Sequence, residues 1–144
     1  MAPAPWFLFA GAAYIDANGP LDSPRDLVKH PSLFMMRTGV SPTWRLRRSN
    51  GRGEEIVVPL KPRLLIDDML SLKQAAVSGL GVVALPGYIC RDEILSGALR
   101  RILSGWIAGD STLTALMPYR RGLLPSVRAF IEHLAVQLPK AVAI

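Results

Sequence analysis

The sequence predicts an α/β fold, and three observations carry that prediction. Short apolar runs of strand length alternate with helix-like segments along the 144 residues. The stretch 57–86 reads as a strand, an acidic turn, a helix, a glycine stop and a second strand, which is a βαβ unit. Half of the residues are hydrophobic and 19% are charged, so the chain can bury one well-packed core.

The βαβ unit is the part around which the rest of the chain is arranged. Residues 63–66 form its first buried strand, and Asp67 or Asp68 caps the following helix. That helix ends at Ser78, and Gly79 tolerates the left-handed backbone that often follows a helix. Residues 82–85 form the second strand, which Pro86 ends. In open α/β sheets ligands collect where a helix begins after a strand, so this edge is the candidate site.

The first third of the chain adds two strands and two helices. Residues 6–10 are an apolar strand, followed by a helix over 11–18 that Gly19 and Pro20 end. Ser23 is the N-cap of a short helix with Pro24 at its first position. A further strand covers 32–36.

A hairpin follows. Residues 43–48 alternate between apolar and basic side chains, Asn50 and Gly51 mark the turn, and 54–58 return as the partner strand. The arginines of this hairpin are expected on its solvent face rather than in a binding patch.

The last third ends in the clearest helix of the chain. A short helix over 91–95 and strands over 99–103 and 112–117 precede a loop at 118–122. The final helix begins at Pro125 and is expected to end at Pro139. Its apolar stripe has amphipathic spacing. The stripe consists of Val127, Phe130, Ile131, Leu134 and Leu138.

Composition excludes several functional classes. The formal net charge is +6, but the arginines are scattered in separate pairs and no helix-turn-helix, zinc-finger or RNA-binding signature accompanies them. A sequence-reading DNA interface within this chain is therefore not expected. No apolar run approaches the length of about 20 residues that spans a bilayer, so no membrane contact is expected.

The motifs do not predict an enzyme, a metal site or a cofactor. The single cysteine, Cys90, excludes an internal disulfide and suits a reducing cytoplasm, and both histidines are remote from it in sequence. Gly79 and Gly81 close a helix instead of opening one, which argues against nucleotide binding. Asp67 and Asp68 are the only carboxylate pair at a candidate site. Either they only cap the helix, or one caps while the other faces a ligand.

Five stretches in a fixed order resemble one family. They are APWFLFAGAAYIDANGP, SPRDLVKHP, PRLLIDDMLSLKQAAVSGLGVVALP, GALRRILSGW and MPYRRGLLPSVRAFIEHL. Each is weakly specific alone, but the succession resembles the C-terminal effector-binding domain of LysR-type transcriptional regulators over nearly the whole chain.

The resemblance implies a fold like that of type 2 periplasmic binding proteins, in which two subdomains hold a small effector between them. Residues 11–117 would be mainly the second subdomain, and 1–10 and 118–144 the crossover and a remnant of the first. The N-terminal winged helix-turn-helix, which would carry DNA binding, and part of the first subdomain would be absent.

The resemblance also implies the site. Effector-lining positions would be Ile66, Asp67, Asp68, Met69 and Pro86. A carboxylate at Asp67, where many relatives have Asn or Ser, would repel an anionic effector unless it is paired with an arginine. The final helix would contact the missing subdomain or another copy, in a homo-oligomer, through Val127, Phe130, Ile131 and Leu134.

The expected function is thus effector sensing in a cytoplasmic transcriptional regulator, without catalysis. The alternative is a free-standing solute-binding or carrier protein of the same fold. The effector, the operator and the sign of regulation do not follow from the sequence.

Overall fold

The computed structural model describes residues 1–118 and 121–144. In these residues ten strands and four α-helices follow one another in a largely alternating order, which confirms the α/β class. The strands are β1 (Ala2–Pro3), β2 (Trp6–Gly11), β3 (Ser32–Met35), β4 (Thr43–Arg48), β5 (Ile56–Pro59), β6 (Pro62–Ile66), β7 (Val82–Pro86), β8 (Leu99–Ile102), β9 (Trp106–Ile107) and β10 (Thr112–Leu113). The helices are α1 (Ala12–Asn18), α2 (Met69–Val77), α3 (Arg91–Ser96) and α4 (Pro125–Val142), with 3-10 helices at Pro24–Lys29 and Gly87–Cys90.

A five-stranded sheet with the order β6-β3-β7-β2-β8 is the centre of the described residues. Strand β3 runs parallel to both β6 and β7, whereas β2 runs antiparallel to β7 and β8. The predicted βαβ unit is therefore present as β6-α2-β7, and β3 lies between its two strands. Asp68 accepts a 3.0 Å hydrogen bond from the Ser71 N–H as N-cap of α2, and Gly79 follows the helix with φ of +82°.

Both faces of this sheet are covered, and β2 and β7 show why. Alternate residues of a strand point to opposite faces, and apolar side chains occupy both sets. Phe9, Val83 and Leu85 pack with Leu72 and Ala76 of α2 on one face. The other face packs against α1, the first 3-10 helix and the hairpin. Its core residues include Leu8, Ala10, Val82, Ala84, Leu27, Trp44, Leu46 and Val58.

The predicted hairpin is confirmed as β4-β5, and β9 extends it to a three-stranded sheet. Each of the three arginines of β4 has a partner of its own. Arg45 pairs with Glu55 at 3.2 Å, Arg47 pairs with Asp110, and the Arg48 guanidinium lies 4.4 Å from the Trp106 ring centroid. These contacts agree with a solvent face rather than a binding patch.

Several predicted element boundaries are wrong by one or two residues, and those of β10 and α4 are wrong by more. Strand β10 ends at Leu113 instead of Met117, because its partner β1 has only two residues and the pairing stops there. Helix α4 continues through Pro139 to Val142. The predicted loop at 118–122 includes Tyr119 and Arg120, which lie outside the described residues.

Arg91 accounts for the extra turn of α4. It donates hydrogen bonds to the carbonyl oxygens of Ala141, at 2.6 Å, and Ala143. The last carbonyls of a helix have no partner within the helix, and a cation there also interacts favourably with the helix dipole. Arg91 therefore stabilises the end of α4.

Candidate functional site

A cavity of about 210 Å³ opens at the carboxyl edge of β3. Its apolar lining includes three aromatic side chains, and the chain from 108 to 111 closes one side. The aromatic residues are Trp6, Phe34 and Trp44, and the polar ones include Arg37, Asp110 and Ser111. Phe34 and Trp44 are buried in the core, whereas Arg37 and Asp110 are exposed. The cavity thus has an apolar interior and charged groups at its mouth.

Trp6 is fixed at this edge by both its backbone and its ring. It begins β2, which is antiparallel to β7, so it lies beside Pro86 at the end of that strand. The Trp6 N–H donates to the Gly109 carbonyl, and the Ala108 N–H donates to the Trp6 carbonyl, each at 2.8 Å. The indole Nε1 donates to Ser111 Oγ at 3.0 Å. Trp6 is therefore pre-positioned as one wall of the cavity.

The two charged groups at the mouth, Arg37 and Asp110, differ in whether they form an ion pair. The Arg37 guanidinium lies 5.3 Å from the centroid of the Trp6 ring, a cation–π distance. The ion pairs found among residues 1–118 and 121–144 do not include Arg37. Asp110, in contrast, is paired with Arg47 of β4. The mouth therefore carries a carboxylate whose charge is compensated and an arginine without an ion-pair partner in the described chain.

A larger cavity, of about 410 Å³, lies at the opposite edge of the sheet. Ser32 and Lys61, which line it, are next to the amino ends of β3 and β6. Ligands of open α/β sheets bind outside the carboxyl ends of the strands. Position in the fold therefore favours the smaller cavity as the functional site.

The sequence-predicted site residues flank this cavity but do not line it. Ile66 is the Cα partner of Met35, a lining residue, and Pro86 is the partner of Trp6, another one. Asp67 is exposed and follows β6, while Met69 begins α2.

Asp68 is the N-cap of α2. Hydrogen bonds from the Ser71 hydroxyl and backbone N–H lower the pKa of the Asp68 carboxyl. This confirms the capping interpretation for one aspartate of the pair. It does not decide whether Asp67 faces a ligand, and the effector-lining role of Asp67 stays a prediction.

Sequence reasoning missed Trp6, Arg37 and Trp44 as lining residues. Their positions at strand ends could have indicated two of these residues, Trp6 and Arg37. Trp6 is the first residue of a strand antiparallel to β7, and Arg37 comes two residues after β3 ends. Both positions are therefore at the carboxyl edge. Trp44 was predicted on the apolar face of β4, but its contribution to a cavity depends on the packing of the hairpin against the central sheet.

Comparison with known proteins assigns the family. The family model described as LysR substrate binding domain matches residues 1–139. The chain belongs to this family. Among curated relatives, the HTH-type transcriptional regulator PtxR of Pseudomonas aeruginosa is 32% identical over 129 residues, which are 90% of this chain and 40% of PtxR. A transcriptional regulator of the same type from Xanthomonas campestris is 26% identical, over 91% of this chain and 38% of that protein. The chain thus spans about two fifths of the length of these relatives.

Solved structures show the same fold. The regulatory domain of AphB from Vibrio vulnificus matches with a TM-score of 0.79 and 25% identity, over 95% of this chain and 66% of that one. The regulatory domain of CrgA from Neisseria meningitidis matches with a TM-score of 0.75 and 20% identity, over 94% and 66% of the two chains, and shows the fold alone. These likenesses confirm the predicted type 2 periplasmic-binding-protein-like fold.

The LysR family membership also confirms the predicted regulatory class. The family is the effector-binding domain of transcriptional regulators, so a free-standing solute carrier is not favoured. The division into a second subdomain and a remnant of the first stays a prediction. In the described part of the chain no helix is both long and apolar enough to cross a bilayer. Nor do the described residues include a group of three His, Cys, Asp or Glu side chains placed to hold a metal ion.

Proposed function

We propose that this LysR-type domain senses a small-molecule effector, which binds in the cavity beside Trp6 and Arg37. The cavity at the carboxyl edge of β3 is the observation that carries the proposal. Its walls are held in place by the sheet and by the Trp6–Ser111 hydrogen bond, so binding requires little ordering of side chains. No cofactor or metal is needed for this role, and no catalytic step is proposed.

The predicted effector contacts at the β6-α2 corner and at the end of β7 would form the outer rim of this proposed site. Ile66 and Pro86 each adjoin a lining residue across a strand pair, and Asp67 and Met69 follow directly after β6. An effector large enough to extend along the sheet edge would reach them. We therefore propose Ile66, Asp67, Asp68, Met69 and Pro86 as secondary effector contacts.

Helix α4 supplies the proposed contact with another subdomain or another copy. Val127 is 38% exposed and Phe130 is 61% exposed, although both lie on the apolar stripe of the helix. An amphipathic stripe that faces solvent is typical of an interaction surface. The neighbouring Ile131 and Leu134 are half-buried and belong to the same stripe.

Transcription control would involve residues outside this chain. The chain spans about two fifths of relatives that are HTH-type regulators, and we propose that a DNA-binding part outside it makes the operator contacts, in the cytoplasm. Effector binding would alter the angle between subdomains and, through it, the spacing of the DNA-binding heads. The isolated chain should then show no salt-resistant, sequence-selective gel shift with operator DNA.

A cavity-filling variant tests the effector site. Thr43 is half-buried at the start of β4 and lines the cavity, and Thr43→Phe fills it while keeping a residue that favours strands. Val57→Phe on the partner strand β5 adds similar bulk at an exposed position away from the lining. A panel of small metabolites is screened by thermal unfolding of the unmodified chain, since a ligand at 100 times its Kd stabilises by about 2.7 kcal/mol.

A metabolite that raises the Tm of the unmodified chain and of Val57→Phe, but not of Thr43→Phe, supports the site. A shift that survives in Thr43→Phe places binding elsewhere. If no metabolite shifts the Tm of any variant, the proposed site is wrong.

A further inference from the structure

We propose that the effector of this cavity is a small organic monoanion with a flat apolar body, bound with its ring inward and its carboxylate toward Arg37. The inference rests on the proposed effector site and adds the chemical class of its ligand.

The charges at the mouth favour an anion. Arg37 lies at the mouth beside Trp6 and forms no ion pair within the described residues, so a ligand carboxylate would compete with water and not with a protein carboxylate. A guanidinium can donate two parallel N–H hydrogen bonds to a carboxylate. Asp110 does not offset this preference, because Arg47 already compensates its charge.

The Asp67–Asp68 pair, whose charge argues against an anionic effector, lies outside the cavity lining. Asp68 caps α2, and neither Asp67 nor Asp68 lines the cavity. The repulsion expected from these aspartates therefore acts from the rim and not from the interior. A ligand with two negative charges would have to place the second one against the apolar interior, so a single charge fits better.

The apolar interior favours a ring. Phe34 and Trp44 are 8% and 5% exposed and line the cavity together with Trp6 and Ala84. A dry apolar cavity of about 150 Å³ can hold benzene. The cavity of about 210 Å³ can therefore hold a ring with one small substituent, and the substituent would reach the mouth.

Three isosteric probes separate charge from shape. Benzoate, benzamide and benzamidine have nearly the same planar outline and carry charges of −1, 0 and +1, while acetate has the charge without the ring. Each is titrated into the 144-residue chain with excitation selective for tryptophan. Trp6 and Trp44 line the cavity and report binding, whereas Trp106 lies outside the lining and supplies a constant background. Benzoate should bind roughly fivefold to tenfold more tightly than benzamide, with benzamidine and acetate weaker still.

A matched pair of variants assigns the preference to one arginine. Arg37→Gln should bring the affinity for benzoate to that for benzamide. Arg25→Gln, an exposed residue of the first 3-10 helix outside the cavity, removes the same charge and should leave the difference intact.

The outcomes distinguish the two levels of the proposal. If benzamide or benzamidine binds as tightly as benzoate, the anion preference is wrong while the cavity remains the site. If Arg25→Gln acts like Arg37→Gln, the preference follows the net charge of the chain and its assignment to Arg37 is wrong. If acetate equals benzoate, the ring requirement is wrong. If none of the probes changes the fluorescence, the cavity does not accept a ligand of this class and the ligand assignment is overturned, whereas the metabolite panel and Thr43→Phe still decide the effector site independently.

Discussion

Ser111 Oγ accepts a 3.0 Å hydrogen bond from the Trp6 indole and donates one of 2.7 Å to the Ala4 carbonyl. One hydroxyl thus connects the wall of the cavity to the segment between β1 and β2. The two hydrogen bonds fix the indole in its plane, while the backbone bonds of Trp6 with Ala108 and Gly109 fix its position along the strand. The rigidity of this wall therefore depends on the loop at 108–111 as well as on β2.

We predict that Ser111→Ala lowers both stability and ligand affinity. The substitution leaves the indole N–H and the Ala4 carbonyl without this partner, which should cost about 1 kcal/mol because the group is only partly buried. Urea unfolding measures the loss, and the benzoate titration measures the affinity. Ser104→Ala, at an exposed serine whose side chain makes no hydrogen bond among the described residues, should change neither. An unchanged affinity in Ser111→Ala would show that the hydrogen bond does not pre-position Trp6.

The ion pair between Lys73 and Glu93 predicts a loss of stability in acid. The two side chains are 2.8 Å apart and 19% and 22% exposed. Burial raises the pKa of Glu93, but the hydrogen bond from Lys73, a backbone hydrogen bond and the charge of Lys73 together outweigh it, and the net pKa is lowered. A carboxyl with a lower pKa in the folded state stabilises the fold at neutral pH. That contribution disappears as the pH falls below the ordinary glutamate value of about 4.3.

Urea unfolding between neutral pH and about pH 3 checks this prediction, because the contribution is lost between the ordinary glutamate pKa and the lower pKa of the folded state. The isosteric variant Glu93→Gln should lose the acid-dependent part of the stability and otherwise unfold cooperatively. Lys73→Met should cost about 2 kcal/mol at pH 7, because it leaves the Glu93 charge poorly solvated. The double variant should be less destabilised than the sum of the two single variants. Strict additivity would contradict a coupled pair.

The close approach of β2 to α2 at Gly11 leaves no room for a side chain at this position. A Cβ atom at this position would lie 2.5 Å from the Ala76 carbonyl oxygen, which belongs to the backbone and cannot rotate away. Gly11→Ala should therefore destabilise by about 2 to 3 kcal/mol. Gly97→Ala is the control, since nothing lies within 4 Å of its Cβ and only its φ of +80° costs energy, about 1 kcal/mol. Equal losses in the two variants would contradict the close approach.

The start of the first 3-10 helix, both ends of α2 and the central βαβ unit could be predicted from the sequence because local chemistry determines them. Ser23 and Asp68 act as N-caps at the predicted places, and Gly79 follows α2 with the predicted left-handed backbone. In each case the hydrogen bond or the φ value depends on residues within one helical turn.

The cavity and the end of α4 could not be predicted because they depend on distant residues. Pro139 indicates a helix end, yet α4 continues because Arg91, 48 residues earlier than Pro139, binds the last carbonyls. Trp6, Arg37 and Trp44 lie far apart in sequence and meet only through the strand order and the packing of the hairpin. The residue-by-residue interpretation predicts effector contacts at the β6-α2 corner, where Ile66 pairs with the lining residue Met35.

Cys90 is predicted to be unreactive in the folded chain. Burial, and then the negative charge of Glu93, raise the pKa of its thiol to about 12. At pH 8 only about one thiol in ten thousand would be a thiolate, the form that reacts. Ellman's reagent should therefore modify Cys90 at least roughly a hundredfold more slowly in the native chain than in guanidinium chloride. Rapid native modification would show that the thiol is exposed.

The apolar stripe of α4 is predicted to bind a second copy of the chain. The helix contacts β1 and the 3-10 helix at 87–90, and its exposed stripe residues Val127 and Phe130 lie in its first two turns. Two copies of one stripe can pack against each other around a two-fold axis. Burial of a phenylalanine side chain contributes about 1.5 to 3 kcal/mol, so Phe130→Glu should weaken the association roughly tenfold or more.

Sedimentation equilibrium over a range of protein concentrations measures this association. Val136→Glu is the matched control, because Val136 is 56% exposed on the same helix but, nine residues after Val127, it lies on the opposite face. The wild-type chain and Val136→Glu should associate equally, and Phe130→Glu should remain largely monomeric. If Val136→Glu dissociates the chain as strongly, general charge repulsion and not the stripe controls association. A wild-type chain that stays monomeric at high concentration would instead leave the other subdomain as the partner of Val127, Phe130, Ile131 and Leu134.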